Sequence, residues 1–167
     1  MINIRREKPE DIQNIYNINA GAFGREAEGE LVDALRGEVS PFISLVAEED
    51  GRVIGHILFT PVRVGESGVN AAGLGPMAVA PGSQKKGVGT LLIKKGLESC
   101  GEQGVEAVFV LGYPEYYTKF GFKQSSLKGI YWKGAEYAPY FFFLELKKDA
   151  LDGVRGEVLF NPHFDEV

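Results

Sequence analysis

Residues 77–92 read Met77-Ala78-Val79-Ala80-Pro81-Gly82-Ser83-Gln84-Lys85-Lys86-Gly87-Val88-Gly89-Thr90-Leu91-Leu92. An apolar strand ends at a proline, a tight loop follows, and an amphipathic helix opens at two glycines one residue apart. The first turn of a helix has amide N–H groups without intrahelical partners, and glycines let an anion approach them with no side chain in the way. The loop is therefore shaped to hold a phosphate or pyrophosphate. Lys85 and Lys86 add positive charge, and Thr90 adds a hydroxyl donor.

Two common phosphate binders fit poorly. A dinucleotide fingerprint requires a third glycine where this chain has Leu92, and a P-loop requires a Gly-Lys-Ser/Thr that is absent. Working outward, 70–79 is expected to be a strand, 87–100 a helix with Val88, Leu91, Leu92 and Leu97 inward, and 105–111 a short, nearly apolar strand covered on both faces. Strand, helix and strand in that order make a parallel pair with a right-handed crossover.

Before this unit, Ile2 and Ile4 alternate with polar residues as a first strand, and Pro9-Glu10-Asp11 starts a helix with Ile12, Ile15, Tyr16, Asn19 and Phe23 on its inner face. A second helix spans 25–36, with Ala27, Leu31 and Leu35 inward and Gly37 as its stop. The runs 42–47 and 53–60 flank Asp50-Gly51, the signature of an antiparallel hairpin, and 62–64 prolongs the second of them. After the parallel pair, 140–146 and 156–160 are further strand candidates. The fold class expected is α/β, with a mixed sheet, in one domain over 1–167.

Composition sets the outer limits. The 167 residues are 44% hydrophobic and 25% charged, and no apolar run is long enough to span a membrane. Polar residues follow Met1 almost at once, which leads to the expectation of a cytoplasmic protein. A net charge of -5 argues against a nucleic-acid partner, although residues 84–95 carry four lysines and no acid. One cysteine, Cys100, and two histidines, His56 and His163, supply neither a disulfide nor a convincing metal site. Oligomeric state cannot be read from these features.

Gln84-Lys85-Lys86-Gly87-Val88-Gly89 resembles the Q/R-x-x-G-x-G/A motif of the GNAT N-acetyltransferase superfamily, and it follows a strand as it does there. Tyr117-Thr118-Lys119-Phe120-Gly121-Phe122 is similar to that family's Y-x-x-x-G-F, and the string from Leu111 to Phe122 resembles the YhbS-like branch. The order of elements agrees from Ile2 to about Leu146. The resemblance implies the GNAT fold, in which two neighbouring parallel strands splay apart beneath flanking helices. It also implies acetyl-CoA or another acyl-CoA as donor and an amine as acceptor. The pantetheine arm would pair with the backbone of Met77, Ala78 and Val79. The pyrophosphate would sit on Gln84, Lys85, Lys86, Gly87, Val88, Gly89 and Thr90, and an N–H near Met77 or Val79 would serve as oxyanion donor.

By the same resemblance Tyr117 is the expected acid for the departing thiolate. Pro114 is expected to shorten its helix, and the asparagine often found ahead of it in relatives is missing. Glu115 is a candidate base, with Glu26, Glu28 and Glu30 as others. His56 and Cys100 read as structural residues, and the aromatic run 140–143 reads as sheet core with one face able to border a substrate cleft. The expected chemistry is direct transfer without metal or covalent intermediate. A non-catalytic acyl-CoA sensor is the alternative, and the amine is not legible.

Overall fold

Alternation of apolar and polar residues gives β1 (Ile2–Arg6), and the Asp50-Gly51 turn joins β2 (Ile43–Glu49) to β3 (Arg52–Val64) in the computed structural model, which describes residues 1–167. Asp50 and Gly51 have φ of 52° and 76°, the left-handed pair that a two-residue hairpin loop demands. The remaining strands are β4 (Ala71–Val79), β5 (Ala107–Leu111), β6 (Lys123–Gln124), β7 (Ile130–Tyr131), β8 (Phe141–Glu145) and β9 (Gly156–Leu159). The helices are α1 (Ile12–Phe23), α2 (Ala27–Leu35), α3 (Val88–Glu102) and the single turn α4 (Pro114–Tyr117). None is long and apolar enough to cross a membrane.

The chain divides into two compact units, Met1–Thr60 with Gly75–Ser99 and Pro162–Val167, and Pro61–Leu74 with Cys100–Asn161. In the first, β1, β2 and β3 pair antiparallel, with Ile4 opposite Ala47 and Val46 opposite His56. Side chains alternate across a strand, so β3 serves two layers. Leu58 and Val46 pack with Ile15, Leu31, Val32 and Leu35 of α1 and α2. Gly55 and Phe59, on the other face of β3, lie against α3. A Cβ on Gly55 would stand 3.0 Å from Val88 and 3.1 Å from Leu92, and one on Gly96 would stand 2.2 Å from the Phe59 ring. The two glycines bring α3 close to the sheet.

Two side chains expected inside lie outside. Phe23 is 43% exposed because α1 stops there, at Gly24 with φ 70°. Leu91 is 38% exposed, since the face of α3 that meets the sheet runs through Val88, Leu92 and Ile93.

In the second unit, Ala71–Gly73 of β4 pairs parallel with Ala107–Phe109 of β5, the ladder that the strand–helix–strand order predicts. Antiparallel β8 covers the other edge of β5, and β6 follows β8. β9 pairs antiparallel with the end of β3 and parallel with β7. Phe109 and Phe141 stack with centroids 5.7 Å apart among Val62, Ile130, Phe143, Leu151 and Val158. β6 and β7 are two residues each, too short for an alternation to announce them in the sequence.

Candidate functional site

β4 keeps its ladder to β5 only through Gly73, yet it runs on to Val79, and β5 runs on to Leu111. β3 borders β4 on the side away from β5, and from Gly75 onward β4 belongs to the first unit. The Ala80 N–H donates to Ile54 O at 2.8 Å. Alternate residues of an antiparallel strand turn both backbone groups to the partner. With Ala80 turned toward β3, the N–H and C=O of Val79 and Met77 point to the opposite edge. Gln84 folds back and its Nε2 donates to Val79 O at 3.2 Å. This leaves the Val79 N–H and both groups of Met77 on that edge.

The loop then turns through Lys85 (φ 64°) and Gly87 (φ 82°). A left-handed lysine is uncommon, and with Gly87 it curls the backbone into the start of α3. Leu91 donates to Gly87 O at 3.1 Å, so the amides of Val88, Gly89 and Thr90 precede the first helical bond and open outward. Val88 is 1% exposed and pins the helix start over Gly55. Gln84, Lys85, Lys86 and Gly87 are exposed, while Met77, Val79, Gly89 and Thr90 are half-buried and Ala78 is buried. This end of the unit combines a free strand edge, an open helix terminus and two lysines, and can bind an extended ligand that has amides at one end and phosphates at the other.

Tyr117 and Glu115 belong to the second unit. Pro114 opens α4 and ends it within one turn; a 3-10 turn follows to Phe120, and Gly121 at φ 93° stops it. Tyr117 is 9% exposed, edge-on to Tyr116 at 5.1 Å and to Phe122 at 5.7 Å. A Cβ on Gly112 would lie 2.3 Å from its ring, so the ring rests on bare backbone. Burial, and then the neighbouring Tyr116, push its hydroxyl up to about 12. At neutral pH it is a phenol with its proton in place. Glu115 is exposed, two residues away on a helical turn, a spacing at which side chains do not face each other.

The other acids and the histidine resolve differently. Glu28 is buried and takes both Arg25 hydrogen bonds, at 3.0 and 2.6 Å, whereas Glu26 and Glu30 are exposed. His56 is fully buried between Asn19 and Ser44. Asn19 Nδ2 donates to Ile15 O and to His56 Nδ1, so the ring proton sits on Nε2 and is donated to Ser44 Oγ at 2.9 Å. Ser44 in turn donates to Glu7, which Arg36 holds at 2.7 Å. Burial pushes His56 down to about 3, and it is a neutral structural link. Cys100 is fully buried, its thiol pushed up to about 12 by that burial, and inert. No group of three or more His, Cys, Asp or Glu side chains is arranged to hold a metal ion.

Sequence reasoning missed two features here. No local pattern marks Gly112 as the bed of the Tyr117 ring. In the aromatic run, Phe141, Phe142 and Phe143 are core, but Tyr140 is 45% exposed. Pro139 just before it was the available signal that the strand had not yet begun.

Residues 3–125 match the family model described as an acetyltransferase (GNAT) domain. The chain belongs to the GNAT acetyltransferase family and has its fold. It is 36% identical, over 97% of its length and 98% of the relative's, to the Escherichia coli K12 protein named uncharacterized N-acetyltransferase YhbS. The crystal structure of Escherichia coli YhbS in complex with CoA superposes with a TM-score of 0.92 at 34% identity, covering 98% of this chain and 92% of that one. A GNAT family acetyltransferase from Brucella melitensis in complex with acetyl-CoA gives 0.82 at 36% identity, covering 99% of each chain.

Proposed function

We propose that this chain acts as one N-acetyltransferase domain that moves an acetyl or related acyl group from acyl-CoA to a primary amine, by direct transfer in a ternary complex in the cytoplasm. The observation that carries this reading is the pair of backbone bonds Ala80 N–H to Ile54 O and Leu91 N–H to Gly87 O: by strand alternation the first turns Met77 and Val79 to the other edge of β4, and the second leaves the amides of Val88, Gly89 and Thr90 ahead of the first helical bond. A pantetheine arm contains amides that can complete a strand edge, and a pyrophosphate suits an open helix terminus. ATP and NAD offer the phosphates without the arm. The CoA and acetyl-CoA complexes of the two relatives support the same ligand.

Acyl-CoA supplies an activated thioester. In our reading the Met77 or Val79 N–H stabilises the carbonyl oxygen as it becomes negative. The amine nitrogen bonds to the carbonyl carbon, the C–S bond breaks, and the electron pair leaves on sulfur. Tyr117 donates its proton to that sulfur, and the proton released by the new amide nitrogen restores the phenol through water. Transfer from a phenol at about 12 to a thiolate is uphill on its own, since even an ordinary cysteine thiol loses its proton at about 8.5. The hydroxyl therefore works first as a hydrogen-bond donor to the developing thiolate. Glu115 is the proposed base for the ammonium proton, acting through water because it does not face Tyr117. The test is thiol release from acetyl-CoA across a panel of primary amines. Amine-dependent release is expected, and acetyl-CoA binding with no release by any amine would make the chain a sensor.

A further inference from the structure

A cleft of about 490 Å³ in the second unit is lined by Leu111, Gly112, Tyr113, Tyr137 and Tyr140. Its volume is within the range of small-molecule sites. Tyr113, Tyr140 and Leu111 are 74%, 45% and 41% exposed, a concentration of open apolar surface beside three phenylalanines that are each under 5% exposed. The walls are fixed. Gly112 N donates to Tyr140 O at 2.8 Å, the Tyr113 carbonyl accepts the amides of Tyr116 and Tyr117, and Tyr137 packs edge-on against Trp132 at 4.6 Å. Gly112 is a wall of the cleft and also the surface on which the Tyr117 ring rests.

We infer that this cleft binds the body of the acceptor, and that the acceptor is a primary amine carried on an aromatic or flat apolar group. The inference rests on the acyl-transfer reading for the word acceptor, but the binding it describes does not. Tyrosine faces attract both an ammonium and another ring. Phenol hydroxyls are the only titratable groups lining the cleft, so it has no carboxylate for a second ammonium and no cation for an acidic substrate. Polyamines and amino acids with a free carboxylate are therefore disfavoured. Gly112 is thus common to the cleft and to the ring of the residue proposed to protonate the leaving group.

Direct titration of the protein, with and without saturating CoA, by phenethylamine, ethanolamine and phenylacetate tests this. Phenethylamine is expected to bind at least about tenfold more tightly than either of the others, a difference of about 1.4 kcal/mol. Tyr113→Ala is expected to bring phenethylamine and ethanolamine to within threefold, and Tyr113→Phe to preserve the preference. Tyr140→Ala, also at an exposed ring, gives an independent second loss. Equal binding of the two amines overturns the inference, as does phenylacetate binding as tightly as phenethylamine, or a preference untouched in both alanine variants. Variants that alter only the choice between acetyl-CoA and butyryl-CoA also overturn it, by giving the cleft to the acyl chain. A protein that shows the amine preference and transfers no acyl group upholds the cleft and overturns the acyl-transfer reading.

Discussion

Replacing Tyr117 by phenylalanine removes one oxygen from a ring that is 9% exposed. The ring contacts to Tyr116 and Phe122 and the rest against Gly112 remain. The hydroxyl's raised pKa follows from burial and then from the neighbouring Tyr116, and the substitution keeps the ring that fills the site. The melting temperature should stay within a few degrees of wild type. General acid catalysis is typically worth about 100-fold to 10,000-fold. A phenol at about 12 lies well above the operating pH, where acid catalysis is most efficient, which puts the expected loss near the lower bound, about 100-fold in kcat or about 2.7 kcal/mol of barrier. Acetyl-CoA affinity, measured separately, should change by no more than a few-fold. The assay is single-turnover CoA release with a saturating amine, so that product departure does not hide the chemical step. A folded Tyr117→Phe protein with wild-type single-turnover rate would refute the acid role and leave a packing residue.

Gly112→Ala would push a methyl to 2.3 Å from the Tyr117 ring, so we expect kcat to fall about 10-fold or more while acetyl-CoA affinity persists; an unchanged kcat would mean that the ring position is immaterial. Gly96→Ala would drive a methyl into the Phe59 ring at 2.2 Å, a buried overpacking that should cost about 1–3 kcal/mol in denaturant unfolding, and an unchanged midpoint would contradict the close approach of α3. His56 is held near 3 when folded against an ordinary 6.5, so the unfolded chain takes up the proton first as pH falls. Its contribution is complete above pH 6.5 and is lost toward pH 3 at about 1.4 kcal/mol per unit. Unfolding curves between pH 6.5 and 4.5 should show this slope in wild type and a smaller one in His56→Gln, and equal slopes would exclude His56 as the cause.

Much of the first unit could be read from sequence because its signals are local. Asp50-Gly51 specifies the hairpin, Pro81 and Gly87 punctuate the loop, and the alternation of β3 separates His56 and Leu58 from Gly55 and Phe59. What the sequence hid depends on tertiary approach. Leu91 and Leu92 are equally apolar, and only the angle at which α3 meets β3 puts one in water and the other in the core. Gly96 and Gly112 look like ordinary glycines until the rings that need their bare Cα atoms are in place. The candidate phosphate loop was visible because backbone geometry and glycine spacing are coupled. The three tyrosines of the aromatic cleft, spread from 113 to 140, share no spacing that would announce them.

The most direct measurement is the change in unfolding stability on adding CoA, with ATP and NAD in parallel. At about 100 times its dissociation constant a ligand that binds only the folded state adds about 2.7 kcal/mol. CoA is expected to give this stabilisation and the two nucleotides much less. The gain should vanish in folded Gly89→Glu, which puts bulk and negative charge among the open amides of α3. Stabilisation by ATP or NAD but not by CoA, or undiminished CoA affinity in Gly89→Glu, would contradict the account.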